Sequence, residues 1–279
     1  MAACSGAAGP RARCLLRLLV LAALILVLFS DADAWRTDTR PRVYGNKIPT
    51  RALVTTGKKV QRKIVLYHNF FRTKVSPPAS NMLKMTWHKG AARAAQRWAE
   101  RCLMLTHDDM QGRWVNNYGS CGQNIFISTQ QVPWYFAIKM WFAERDNFTY
   151  GSRRNDLHAV GHYTQMVWAS THKVGCGFTR CGARGRTYYS YICNYCPMGN
   201  MMEKLGTPYE WGRACDRCPG HCRLGKLCTN SCPSADLWGN CAELNSTHHH
   251  WLCDRSTAHG RDRHRFCRAT CGCKGKIYG

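Results

Sequence analysis

The sequence predicts an α+β fold, with helices early in a medium-sized domain, strands late in it, and a separate disulfide-held tail. Three observations point there. Apolar residues return at helical spacing in segments that begin near residues 59, 89 and 133. Residues 162–195 instead alternate, or are rich in tyrosine and β-branched residues. After Gly206 come ten cysteines and few aliphatics, a composition that cannot build an ordinary core.

The first helix is expected from Lys59, because Val60, Ile64, Tyr67, His68 and Phe71 recur on one face before Pro77-Pro78 stops it. A second is expected over Lys89–Arg101, with Ala91, Ala94, Ala95, Trp98 and Cys102 on one side. A third should run from about Pro133, a residue suited to a first helical turn, to Arg145. Strands are expected over 162–168, Val174–Arg180 and Thr187–Tyr195. This domain should end near residue 205, with a further division near 230. With 10 tryptophans, 12 tyrosines and 45% hydrophobic residues, the chain can fill one medium core and a small second unit.

Residues 1–34 read as a secretory signal peptide. Arg11, Arg13 and Arg17 accompany the apolar run Leu15–Phe29, and Ala32-Asp33-Ala34 is a cleavage signature. The run falls short of the ~20 residues that span a bilayer, and no later stretch is long and apolar enough, so no transmembrane segment is expected after cleavage. Sixteen cysteines then remain, an even number in an oxidising compartment, which implies eight disulfides. Sequons at Asn147 and Asn245 agree with secretion to the extracellular space. Residues 35–63 carry nine Lys/Arg against Asp38 alone, so 35–57 read as a basic flexible arm or pro-segment. The net charge of +24 needs an anionic partner. For a secreted chain that means glycans, lipid headgroups or acidic receptor surfaces, and not nucleic acid.

Cys193-x2-Cys196 followed by Cys215-x2-Cys218 has zinc-ribbon spacing. The oxidising compartment overrides that reading in favour of disulfides.

Several motifs together resemble the cysteine-rich secretory proteins of the CAP superfamily: "YHNFFR" (67–72), "CGQNIF" (121–126), "GHYTQMVWAS" (161–170), "YICNYCPMGN" (191–200), "ACDRCPGHCRLGKLCTNSC" (214–232) and "CRATCGC" (267–273). The match covers roughly residues 58–273. It implies a CAP-type α-β-α sandwich over 58–205, a disulfide-rich hinge over 206–230, and a helical cysteine-rich module resembling ion-channel toxins over 231–279. It also implies pairing, which spacing alone cannot choose: Cys102–Cys181, Cys121–Cys196 and Cys176–Cys193 in the CAP domain, Cys215–Cys222 and Cys218–Cys228 in the hinge, and Cys232–Cys273, Cys241–Cys267 and Cys253–Cys271 in the tail.

CAP domains resemble one another in a cleft of two histidines and two carboxylates that can take a divalent metal. By motif these are His107, His162 and Glu144, but Gln123 stands where the second carboxylate belongs. An amide cannot act as a base or supply negative charge, though it can fix a histidine tautomer. Weak zinc binding is the expectation. With no G-x-S-x-G elbow around Ser170 and one carboxylate missing, the chain reads as non-enzymatic. Arg261, Arg263, Arg265 and Arg268, near His248-His249-His250 and His264, form a basic strip suited to an anionic cell-surface protein such as an ion channel. The alternatives are a sterol or lipid carrier and, behind it, a metal-dependent hydrolase using Glu144.

Overall fold

The spacing of Val60, Ile64, His68 and Phe71 becomes helix α1 (Lys58–Arg72), and all four side chains are buried. The computed structural model describes residues 41–183 and 186–278; the expected signal peptide and residues 35–40 lie outside them. Residues 45–57, expected to belong to a flexible arm, are instead packed. Leu53 is 1% exposed, its carbonyl accepts the Trp134 Nε1–H at 2.8 Å, and the Gly45 N–H donates to the Gln131 carbonyl at 2.7 Å. Ile48 and Leu53 supply the apolar area that holds this stretch down.

A short strand, β1 (Thr86–Trp87), leads into helix α2 (Lys89–Glu100), which buries Ala91, Ala94, Ala95 and Ala99. The hairpin of β2 (Trp114–Val115) and β3 (Gly119–Ser120) precedes β4 (Gly122–Ser128). Helix α3 (Trp134–Ala143) starts one residue after Pro133, which occupies the N-cap rather than the first turn, and a 3-10 turn over Glu144–Asn147 follows.

Residues 162–168 are not a strand. Helix α4 (Leu157–Val167) covers them up to Val167, capped by Asp156, whose side chain accepts the His158 N–H at 3.0 Å. Val160, Tyr163, Thr164, Gln165, Met166 and Val167 are all buried, so the second half of the helix is covered at consecutive positions and shows no 3.6-residue period. His162, Thr164, Met166 and Trp168 therefore do not share a strand face.

Strands β5 (Lys173–Ala183) and β6 (Arg186–Cys196) complete a four-stranded sheet in the order β1-β5-β6-β4, with β4 at one edge. Helix α2 covers one face of it; α1, α3 and α4 lie on the other, where Tyr191, Cys193 and Tyr195 of β6 enter the main core. The alternate β6 residue Ile192 faces Ala95 and Ala99. The arrangement is the α-β-α sandwich. Close approach of α2 depends on Gly175 and Gly177, where a Cβ would sit 2.2 Å from the Ala92 nitrogen and 2.4 Å from the Gln96 Cα.

One cation is buried in this core. Arg72 is 1% exposed, and carbonyls hold all of its fork. Nε and one terminal nitrogen donate to Leu83 at 2.9 and 2.6 Å; the other terminal nitrogen reaches Met166 and Trp168, both at 2.8 Å; Ala169 accepts at 3.1 Å. Arg72 thus closes the C-terminal end of α4, where helix carbonyls lack partners. Desolvation lowers its pKa to about 9, so it stays charged at neutral pH.

Beyond residue 205 the structure is small and cross-linked. The hinge hairpin β7 (Cys222–Arg223) and β8 (Leu227–Cys228) is tied to the domain by the Cys228 N–H donating to the Met82 carbonyl at 2.8 Å. The tail holds helices α5 (Cys241–Cys253), α6 (Ala258–Phe266) and α7 (Arg268–Gly272). Among the described residues eight S–S bonds are present: Cys102–Cys181, Cys121–Cys196, Cys176–Cys193, Cys215–Cys222, Cys218–Cys228, Cys232–Cys273, Cys241–Cys267 and Cys253–Cys271. These are the partners the resemblance implies. The zinc-ribbon cysteines Cys193, Cys196, Cys215 and Cys218 are thereby all consumed. No helix among the described residues is long and apolar enough to cross a membrane.

Candidate functional site

The edge strand β4 places successive side chains on opposite faces of the sheet, and two of them reach the two histidines. Gln123 lies opposite Asn194 of β6 and donates Nε2–H to its Oδ1 at 3.0 Å. Its Oε1 accepts the Asp108 N–H at 3.1 Å and meets His107 Nδ1 at 2.9 Å. The backbone donor fixes which end of the amide is oxygen, so His107 Nδ1 must carry a proton and Nε2 must present its lone pair. Asn124, the next residue, donates from Nδ2 to the His162 carbonyl at 3.0 Å.

His162 is held by Glu144 and Trp141. Glu144 accepts its backbone N–H at 2.8 Å through Oε2 and lies 2.5 Å from its Nδ1 through Oε1, while Tyr163 N–H reaches the same carboxylate at 3.1 Å. The ring stacks on Trp141 with centroids 6.4 Å apart. A carboxylate is acceptor-only, so His162 Nδ1 is also the protonated nitrogen and Nε2 is free. Desolvation lowers the pKa of His107, the bond to Gln123 opposes that lowering, and the nearby charges of Arg113 and then His162 add to it.

Two neutral imidazoles offering Nε2 suit a borderline metal such as zinc, with water in the remaining positions. The donor set fits a weak site and no more. Among the described residues the one group of three or more metal-ligand atoms close together is Cys215, Cys218 and Cys228, and those sulfurs are in S–S bonds. Gln123 contributes no charge, and the buried Asn194 Nδ2 beside it has no hydrogen-bond partner.

The four tail arginines do not form one strip. Arg261 and Arg265 are exposed one turn apart on α6. Arg263, on another side of that helix, lies over the Trp251 ring at 4.2 Å and donates Nε–H to the Trp251 carbonyl at 2.8 Å. Arg268 belongs to α7 and donates to Asn117 Oδ1 of the β2–β3 turn at 2.8 Å. Helical rotation of ~100° per residue explains why sequence neighbours diverge. His248, His249 and His250 are exposed, and His249 Nδ1 pairs with Asn245 Oδ1 at 2.7 Å. Of the two sequon asparagines, Asn147 is exposed and Asn245 half-buried.

Asn124, Asn194, Trp141 and Asn117 were not singled out by sequence reasoning. The first two stand inside quoted motifs beside Gln123 and Cys193, and strand pairing is the signal that could have joined them.

Residues 65–195 match the family described as "CAP: Cysteine-rich secretory protein family", and residues 215–278 match "Crisp". The chain is similar to cysteine-rich secretory protein 2 of Cavia porcellus, 44% identical over 231 residues that cover 81% of this chain and 88% of that one. Cysteine-rich secretory protein 3 of Homo sapiens is 43% identical over 228 residues, covering 81% and 88%. Among solved structures, NaASP2 with Zn2+ aligns with a TM-score of 0.51 at 27% identity, over 62% of this chain and 96% of that one. Na-ASP-1 aligns with a TM-score of 0.52 at 25% identity, over 68% and 52%.

Proposed function

Because the chain belongs to the cysteine-rich secretory protein family, we propose that it is a secreted, non-enzymatic protein whose basic tail binds an anionic cell-surface target, an ion channel. Residues 58–205 act as the CAP domain, 206–230 as the hinge and 231–279 as the binding tail. The observation that carries this reading is the pair of exposed guanidiniums, Arg261 and Arg265, one turn apart on a helix whose module is clamped by three disulfides. A clamped surface loses little conformational freedom on binding, and exposed like charges favour an electronegative pore mouth. Residues 1–34 and the names of the relatives support secretion; Asn147 and Asn245 are the proposed glycan acceptors.

The CAP cleft is proposed to bind zinc weakly through His107 and His162. The metal would supply Lewis acidity there, while Glu144 and Gln123 hold the imidazole tautomers. Gln123 can neither accept a proton at its amide nor offset the metal's charge, which supports the non-enzymatic reading over hydrolysis.

The test is binding of the whole chain to channel-expressing cells at two salt concentrations, wild type against Arg261→Glu/Arg265→Glu. Both higher salt and charge reversal should weaken binding, mostly through slower association. Unchanged binding in both arms would transfer the working site to the CAP cleft.

A further inference from the structure

Where the CAP domain meets the tail there is a cavity of about 280 Å³, away from both histidines of the cleft. One wall is the β2–β3 hairpin, with Trp114, Asn116 and Asn117; the other is the tail, with Leu237, Arg265 and Arg268. The walls are fastened by the Ala235 N–H donating to the Asn117 carbonyl at 2.7 Å and by the Arg268–Asn117 bond. Trp114 leaves 45% of its surface open, with its six-membered ring beside Gly119. Arg268 spends one terminal nitrogen on Asn117 and keeps its other N–H groups. Among the described residues the Arg265 side chain has no hydrogen-bond or ion-pair partner. Asp236, an acid in the same tail segment, makes no ion pair with Arg265 or Arg268 among the described residues. Its carboxylate is taken by the Ala269 N–H at 2.8 Å and by the Thr270 N–H and hydroxyl at 3.0 and 2.6 Å.

We propose that this cavity binds one anionic pyranose unit of a sulfated glycan. The indole face takes the C–H face of the sugar ring, the two guanidiniums take the sulfate, and the Asn116 amide and the Asn117 Nδ2 take ring hydroxyls. The volume suits a single ring, and a few convergent polar groups beside one aromatic are what fix orientation in a small-ligand pocket. The proposal shares Arg265 with the reading of the tail above but stands on the CAP wall, which that reading does not use.

Calorimetry of the whole chain with a sulfated heparin disaccharide tests it. Trp114→Ala and Arg265→Gln should each weaken binding at least tenfold, and Trp114→Phe less than threefold. Arg261→Gln, an exposed arginine outside the cavity, should leave affinity within twofold, and the unsulfated disaccharide should not bind. Near-ultraviolet circular dichroism checks the fold of each variant. Should Trp114→Ala misfold, Arg265→Gln and Trp114→Phe decide the matter. Wild-type affinity in Arg265→Gln, or an equal loss in Arg261→Gln, would show diffuse charge attraction and overturn the site. Inorganic sulfate binding as tightly as the disaccharide would overturn the sugar. Cell binding that survives enzymatic removal of sulfated glycans, yet falls in Arg261→Glu/Arg265→Glu, would leave the channel reading standing by itself.

Discussion

The CAP domain buries Trp141, Tyr163, Tyr191 and Tyr195 in a single cluster, together with Ile64, Ile138 and Val174. The tail has two small clusters, one of Cys232, Ala269 and Cys273 and one of Cys241, Leu252 and Cys267, with Trp238 stacked on Phe266 at 4.8 Å. In the first region disulfides reinforce a core that aromatic packing already makes. In the second the sulfurs are most of the core. A shared cysteine-rich composition therefore hides two different dependences on oxidation, and each can be tested by breaking what the other region lacks.

The largest effect should come from the buried cation of the CAP domain. Arg72→Ala would take one donor from each of the Leu83, Met166, Trp168 and Ala169 carbonyls, of which Trp168 keeps the Thr171 N–H and Ala169 the Leu83 N–H, and would open a hole in the core. Truncating so large a buried side chain, with loss of its charged-donor hydrogen bonds, costs about 3–5 kcal/mol, read as a lower urea midpoint by tryptophan fluorescence. Arg72→Lys should recover only part of it, because an ammonium cannot span four carbonyls with a planar fork. Amide exchange in α5 of the tail should not change.

Next comes the reverse experiment. Cys232→Ser/Cys273→Ser opens a link with a sequence separation of 41. Removing such a bridge from a small secreted domain costs roughly 2–5 kcal/mol, more than Ala269 and Leu252 can replace, so tail amides should lose protection while the CAP core keeps its own. Cys102→Ser/Cys181→Ser should leave the CAP domain folded. Melting of the sheet in that variant would contradict the contrast between the regions.

Acid offers a third comparison. His68 is fully buried, with Nε2 against Tyr195 Oη at 2.9 Å, and burial lowers its pKa to about 4; His172 is lowered to about 4 for the same reason. Below the ordinary value of 6.5 the unfolded chain takes up protons that the folded chain refuses. CAP stability is thus complete above about 6.5 and falls as pH drops toward 4, by at most roughly 3 kcal/mol per histidine. Urea midpoints at pH 7.5 and 4.5 measure it, and His68→Gln should flatten the difference. The exposed His248, His249 and His250 give the tail no comparable buried histidine.

The smallest effect concerns the cleft. Gln123→Glu adds a negative charge beside His107 and lets the Asn194 amide turn so that its unpartnered Nδ2 becomes the donor. Zinc affinity by calorimetry should rise about tenfold, equivalent to about 1.4 kcal/mol. No change would mean that charge does not limit the site.

What could be read without coordinates follows the same division. Helix α1 was legible because Val60, Ile64, His68 and Phe71 face a core while Arg62, Lys63 and Leu66 face water. Helix α4 was not, because burial at consecutive positions in its second half erased its period. His107, His162 and Glu144 were found by motif, yet the roles of Asn124 and Asn194 needed the strand register that sets them beside Gln123 and His162. Arg72 appears in the sequence only as the last residue of "YHNFFR", and its burial could not be read there, since its carbonyl partners lie up to 97 positions away. The arginine strip divides for a geometric reason, as Arg263 turns onto Trp251 and Arg268 reaches across to Asn117, away from Arg261.

The seam at Asn117 bears on how the protein can be dissected. Its backbone and side chain each hold a different part of the tail, Ala235 and Arg268. A protease that clips the hinge would give two fragments that each look intact by mass and cysteine content. Neither fragment would keep the surface that exists only where they touch. A truncated tail that retains its fold but loses potency would then be missing half of its recognition unit, and mixing the two fragments, rather than refolding either, should restore it.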